Sequence, residues 1–441
     1  MKLKRVLFFI ACFILCSSRI FSSPAALADN QATSDTLFVA TGGFLSPLLL
    51  VGTNHARDWE AKTINNLPAG NAGLSGTSCT GSGDRRICIA VGNIKNSPLL
   101  TVSIDDGKTW EAKTIPHLPE SGAFRGASCT GSGTSALCVA VGETSNKPLL
   151  VMSNDGGRTW SVNTNFPENN SFFAVSCAGN GTTAVCAAVG GGHDSTQPPI
   201  IAVSDDGGFS WHVKTFGDLF RGFLTGVSCT GSDINTVCTA AGVRDKNNNP
   251  GIVVSTDGAK TWEIKTFDIP EPSNDFMSTS CTGNGTDAIC IATGVVSHGA
   301  NPVLVISTDG GKTWQLANLG DIPQVSFLYS TSCTGNGRTA VCMAVGSRLD
   351  YSNKHYSLVA VSRDGGITWG HWNLDPNNSR ESGLYSARCA GSGTNAICVA
   401  AGAINTSTGK RIPYIAANGR DIQIFSGLNG FFSSVSATSS E

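Results

Sequence analysis

Residues 226–267 read GVSCTGSDINTVCTAAGVRDKNNNPGIVVSTDGAKTWEIKTF. Two cysteines, Cys229 and Cys238, flank a Gly/Ser/Asn turn between short apolar runs, the pattern of a β-hairpin. A third apolar run follows Pro250, where a missing N–H is tolerated at the entry to a strand. A second polar turn, Ser255-Thr256-Asp257-Gly258-Ala259-Lys260-Thr261-Trp262, leads into a fourth run. Four strands (A to D) in 42 residues therefore read as one antiparallel sheet, with A–B and C–D turns at one end and B–C at the other.

The same text recurs along the chain. Cysteines fall in seven pairs with eight residues between partners: Cys79/Cys88, Cys129/Cys138, Cys177/Cys186, Cys229/Cys238, Cys281/Cys290, Cys333/Cys342 and Cys389/Cys398. The polar turn ends at Trp110, Trp160, Trp211, Trp262, Trp314 and Trp369, with a worn copy at Trp59, at spacings of 51, 50, 51, 51, 52 and 55 residues. A period of this length, made of short strands and Gly-rich turns, is the signature of propeller blades. Cysteines facing each other across a hairpin are expected to form disulfides in an oxidising compartment. Each short loop so closed contributes ~2.5–3 kcal/mol on the chain-entropy model. A metal site needs clustered ligands, which pairs spaced some fifty residues apart do not supply.

The S-x-D-x-G-x-T-W turn resembles the BNR or Asp-box repeat, found in sialidases, other glycoside hydrolases, the sortilin ectodomain and a photosystem II assembly factor. The resemblance implies a β-propeller and leaves activity open, because the box occurs in enzymes and non-enzymes alike. The Asp is expected to accept N–H groups of its own turn, and the Trp to bury apolar surface beside it.

Seven cysteine hairpins supply seven A strands, but B–C–D text occurs eight times. The extra copy is N-terminal: Phe38-Val39-Ala40-Thr41-Gly42 matches Cys290-Ile291-Ala292-Thr293-Gly294. The tail Phe431–Ala437 matches Phe172–Cys177, so it is expected to supply the missing A strand. Phe38 and Ala437 then occupy both cysteine positions of that blade. The expectation is one all-β domain, an eight-bladed propeller of four-stranded blades over 29–441, with a seven-bladed ring as the alternative. Closure removes exposed sheet edges.

Lys2, Lys4 and Arg5 precede the apolar run Val6–Cys16, and Ala26-Leu27-Ala28 supplies small residues for cleavage, so 1–28 reads as a signal peptide cleaved after Ala28. The expected location is secreted or periplasmic, with no later membrane span. The 441-residue chain has 52 Gly, 14% charged residues and a net charge of −2, and loss of the leader leaves 26 basic against 32 acidic residues, or −6. That balance argues against nucleic-acid binding, which needs a basic surface.

Recognition is expected on the face carrying D–A and B–C loops, which differ from blade to blade. The candidates are Arg244, Asp245, His298, Arg348, Asp350, Tyr351, His355, Tyr356 and Arg411, contacting a protein or glycan ligand. Arg411-Ile412-Pro413 resembles the Arg-Ile-Pro motif of sialidases, but the partner arginines and the Tyr/Glu pair are not evident. Acidic residues in D–A connections, such as Glu120, Glu168 and Glu381, are the candidates for a two-carboxylate hydrolase. No catalytic residue, cofactor or metal ligand is assigned. The reading is a monomeric, non-enzymatic binding propeller; the alternatives are a glycoside hydrolase, sialidase-like or two-carboxylate, and an envelope assembly factor.

Overall fold

The structure is a computed structural model that describes residues 36–438, apart from 44–45, 146, 193–197, 215, 217–219, 246, 248, 268, 270–274, 296–301, 321, 323–325, 351, 353 and 375–380. The proposed leader and its cleavage point at Ala28 lie outside the described residues.

Eight antiparallel sheets follow one another along the chain. The A strands of blades 2 to 8 are Ala72–Thr80, Ala123–Thr130, Asn170–Ala178, Phe220–Thr230, Asp275–Thr282, Ser326–Thr334 and Ser382–Ala390. Blade 1 joins the chain ends: Leu37–Gly43, Pro47–Thr53 and Asp58–Ala61 form its B, C and D strands, and Phe432–Thr438 its A strand. In that pairing Phe38 lies opposite Ala437, as the two vacant cysteine positions require. The A strands of successive blades pack on one another in a closed cycle, blade 8 on blade 1 and blade 1 on blade 2. The ring is eight-bladed, and the seven-bladed alternative is excluded. One feature was not foreseen. Ile64–Asn65, in the D–A connection of blade 1, adds a short parallel strand to blade 2 beside Trp110 and Glu111.

All seven cysteine pairs are disulfides between directly opposed residues of strands A and B, with Cα atoms 4.0–4.1 Å apart. The bridges are Cys79–Cys88, Cys129–Cys138, Cys177–Cys186, Cys229–Cys238, Cys281–Cys290, Cys333–Cys342 and Cys389–Cys398. The pairing is as the spacing predicts, and the strand B partners belong to the core. Cys88, Cys138, Cys186, Cys238, Cys290 and Cys342 are fully buried, and Cys398 is 3% exposed. Neighbouring blades cover strand B on both faces, so no ligand reaches these sulfurs and their role is structural. The strand A partners are buried or half-buried along the channel wall.

Cα atoms this close mark a non-hydrogen-bonded pair, so the N–H of each first Cys points away from strand B toward the central channel. There a serine of the preceding blade accepts it: Ser78 takes the N–H of Cys129 at 2.9 Å, Ser128 that of Cys177 at 2.9 Å, and Ser436 that of Cys79 at 2.8 Å. Beside this ring, Thr80, Thr130, Thr230 and their counterparts donate to a glycine carbonyl of the next A–B turn. The blades are thus stitched by neutral hydrogen bonds around the channel.

The core lies between blades. The residue five before each first Cys is buried in all seven (Leu74, Phe124, Phe172, Leu224, Phe276, Leu328, Leu384), and Phe432 fills the place in blade 1. The double cover of strand B is why runs such as Ile87–Val91 are continuously apolar. In blades 1, 2, 3, 4, 5, 7 and 8 strand B then meets a glycine for a steric reason. A Cβ on Gly92 would lie 2.0 Å from the carbonyl oxygen of Gly73, where strand A bulges.

Each box turn saturates its aspartate. In blade 2, Ser103 donates to Asp105 Oδ1 (2.8 Å), as does the Thr109 N–H (2.9 Å), while the Thr109 hydroxyl takes Oδ2 (2.5 Å). Trp110 Nε1 donates to the Gly107 carbonyl at 3.1 Å, pinning the indole over the turn. Burial alone would raise these carboxyl pKa values. The Thr and Ser donors outweigh it and hold all six, Asp105 to Asp364, below the ordinary range. The carboxylate oxygens are committed to their own turn, a structural use.

Candidate functional site

Strand A bulges just after its buried core residue, and the next side chain turns out to the loop-face mouth of the channel. In blade 7 that side chain is Tyr329 and in blade 8 Tyr385, each following a fully buried leucine. Phe327 and Phe431 stand two residues further up their strands. These four rings form a continuous arc across blades 7, 8 and 1. Phe327 and Tyr329 are stacked, with centroids 6.1 Å apart and planes at 6°. Tyr329 meets Tyr385 at 6.4 Å, and Tyr385 meets Phe431 edge-on at 6.1 Å. All four are half-buried, so their faces remain reachable. Burial raises the Tyr385 phenol pKa, with Arg411 acting against it, so the hydroxyl is neutral and available as a donor.

A cation, Arg411, and an imidazole, His355, border the arc. His355 lies 6.0 Å from Phe327 and shares a 3.0 Å hydrogen bond between Nδ1 and Ser347 Oγ. Arg411 is exposed and sits 5.5 Å over Phe431; Arg348 sits 5.0 Å over Tyr356. Beyond Phe431 the arc runs into a cavity of about 620 Å³ between blades 1 and 2. In blade 2 the corresponding position is Ser75, so no ring fills that gap. Asn71, Asn93, Lys95 and Asn96 supply its polar wall. Lys95 and Asn96 form a tight B–C turn with φ of +49° and +65°. The Lys95 stem crosses Gly70, where an added Cβ would meet Lys95 Cε at 2.2 Å.

A second aromatic cluster lies on blades 3 to 5. Arg125 sits 5.8 Å over Phe173, which meets Phe223 edge-on at 6.0 Å. Glu143 holds Arg125 in an ion pair and accepts the Ser171 hydroxyl at 2.6 Å.

The nine candidates divide accordingly. His355 and Arg411 border the arc, whereas Arg348 and Tyr356 stack on each other one register position away from Phe327 and Ser347. Asp245 and Asp350 instead cap their own loops. Asp245 accepts the N–H groups of Asn247 (2.8 Å) and Asn249 (2.9 Å), and Asp350 those of Ser352 (2.7 Å) and Lys354 (2.9 Å). The Lys354 N–H above all holds the Asp350 carboxyl below its usual pKa. Arg244 is half-buried at the end of a blade 5 strand, in register with Arg221. His298 and Tyr351 lie outside the described residues. Of the carboxylates raised for hydrolysis, Glu168 is paired with Lys147 at 2.9 Å, and Glu120 is exposed. Among the described residues no three His, Cys, Asp or Glu side chains cluster to hold a metal ion.

Residues missed by the loop-based reading are Phe327, Tyr329, Phe431 and the amide wall at Asn71, Asn93 and Asn96. A signal was present for the rings. The residue after each core position varies strongly (Ser75, Arg125, Phe173, Thr225, Met277, Tyr329, Tyr385, Ser433), as a surface position does.

The BNR/Asp-box repeat family model matches residues 305–316. No curated protein sequence matches the chain. Among solved structures it is similar to YCF48 bound to D1 peptide, with 14% identity over 70% of this chain and 87% of that one and a TM-score of 0.42. It is similar to the fucose-specific lectin of Aleuria aurantia, with 10% identity over 82% and 96% of the two chains and a TM-score of 0.44. A Trypanosoma rangeli sialidase is similar at 13% identity over 81% of this chain and 54% of its own, with a TM-score of 0.37. None of these likenesses assigns a ligand to this chain. The chain is an eight-bladed β-propeller, and its C–D turns resemble the BNR/Asp-box repeat, whose family model matches the copy at residues 305–316.

Proposed function

We propose that the chain is a non-enzymatic binding propeller, secreted or periplasmic, that holds a glycan on its loop face. One observation carries the reading: four half-buried rings from three blades lead into an amide-lined cavity. Aromatic faces suit the apolar C–H face of a sugar, and amides and a lysine suit its hydroxyls. The cavity volume, about 620 Å³, falls in the range of small-ligand sites. The seven disulfides fit an oxidising compartment, extracellular or periplasmic.

A peptide ligand is the second reading, including an envelope assembly role. It draws on the stacked pairs Arg348/Tyr356 and Arg411/Phe431, since Arg and Tyr dominate protein-binding hot spots. A glycan array on purified protein decides between them. Binding to a defined glycan should weaken at least ~10-fold, about 1.4 kcal/mol, in Tyr385→Ala with an unchanged unfolding midpoint. Array silence alongside tight peptide capture would replace the first reading with the second. Turnover of a reporter glycoside that is abolished by one carboxylate substitution would end the non-enzymatic reading.

A further inference from the structure

The serine ring around the channel is interrupted once. At the junction of blade 8 with blade 1 the serine is replaced by Arg388, and the threonine two residues on by Ala390. Neither stitch can form there. Ala437, the cysteine-position residue of blade 1, directs its N–H to the channel with no acceptor among the described residues. Blade 1 also has no A–B turn, because its A and B strands come from opposite ends of the sequence.

Arg388 and Ala437 line one cavity of about 850 Å³ at the end of the channel carrying the A–B turns. The rest of its wall is serine and threonine hydroxyls, asparagines, small apolar groups and backbone, with no Asp, Glu, Lys or His. The guanidinium is water-accessible yet crowded by protein, and that crowding lowers its pKa with no carboxylate beside it to oppose the shift. Arg86 and Arg125, by contrast, each face a carboxylate, Asp106 at 2.9 Å and Glu143 respectively. Ser436, beside Ala437 on blade 1, lines the same cavity and spends its oxygen as acceptor for the N–H of Cys79. The notch therefore offers a planar two-pronged cation, a backbone N–H and one hydroxyl, with no competing negative charge.

We propose that this mouth of the channel binds one small oxyanion (carboxylate, sulfate or phosphate) on the Arg388 guanidinium, with the Ala437 N–H as a second donor. A guanidinium matches such groups bidentately, and a channel with low-dielectric walls strengthens the attraction. The site lies at the opposite end of the channel from the aromatic arc and does not depend on the glycan reading.

Calorimetric titration of sulfate, phosphate and acetate into the full protein, in low-chloride buffer, tests it. One anion is expected to bind at one site per chain. Arg388→Ser restores the residue that the other seven blades carry, so it should fold with an unchanged near-UV spectrum. In that variant affinity should fall at least tenfold. Arg388→Lys should be intermediate, because an ammonium keeps the charge and loses the fork. Preference for acetate would point to a carboxylate-bearing ligand, and preference for sulfate or phosphate to the inorganic ion or its ester. Tyr385→Ala should leave anion uptake unchanged. Equal affinity in Arg388→Ser and the parent, or no uptake at tens of millimolar, would overturn the assignment.

Discussion

Ring closure by the two ends of the chain makes a quantitative prediction at Phe38 and Ala437. These residues face each other in the register that is disulfide-bonded in the seven other blades. Replacing both with cysteine should install an eighth bridge. The native bridges each close a nine-residue separation, for which the chain-entropy model gives ~2.6 kcal/mol. A bridge between strands at opposite ends of the chain closes a loop of ~400 residues, and the same relation gives ~6 kcal/mol. Against this stands the loss of Phe38, which is fully buried and packs 6.5 Å from Trp59. Removing a buried phenyl ring costs ~3–5 kcal/mol. The double variant should thus gain about 1–3 kcal/mol over the parent, while Phe38→Cys alone loses ~3–5 kcal/mol. Guanidinium unfolding followed by tryptophan fluorescence, without reductant, measures the parent, both single variants and the double variant. Peptide mapping under non-reducing conditions shows whether the new thiols are joined. Free new thiols beside seven intact native bridges would refute the closure, as would a double variant no more stable than Phe38→Cys.

Two further outcomes follow from the box turns. Arg86 is fully buried and paired with Asp106 at 2.9 Å, where other blades carry Ala or Thr and Gly; Asp106→Gly should therefore cost ~3–5 kcal/mol by stranding the charge, whereas Arg86→Ala with Asp106→Gly recovers most of it, and a strictly additive denaturation cycle would contradict the coupling. The six box aspartates have folded pKa values below their unfolded ones, so the stability they add is present above about pH 4 and is lost as pH falls through the folded values; thermal midpoints should drop as pH falls below about 4, and Asp309→Asn should flatten that drop.

The legible part of this protein is the part built from near neighbours in sequence. Eight residues between cysteines dictate a hairpin and its bridge, and Ser-x-Asp-x-Gly-x-Thr-Trp dictates a turn whose donors and acceptor lie within seven positions. Repetition at a near-constant period then gives the blade number, and paired absence of cysteine at Phe38 and Ala437 identifies the shared blade. Spacing alone did not reveal that the second cysteine of each pair lies in the core, since its cover comes from the neighbouring blades. Loop composition was a poorer guide. Asp245 and Asp350 look like ligand-facing acids in sequence, but both are consumed by backbone N–H groups two and four residues on.

The candidate sites depend on relations the repeat does not encode. Tyr329 and Tyr385 reach the channel mouth because strand A bulges beside a glycine of strand B, which shifts the alternation of inward and outward side chains. Phe431 completes the arc because the last strand of the chain inserts beside the first. Arg388 looks like an ordinary substitution in one blade, and only the closed ring places it alone among serines. The sequence by itself determined strands, turns, bridges and blade count, since each is a contact between residues a few positions apart. Tertiary structure decided the arc, the amide cavity and the lone guanidinium. Those groups come from blades some fifty residues apart, and ring geometry alone sets the distances between them.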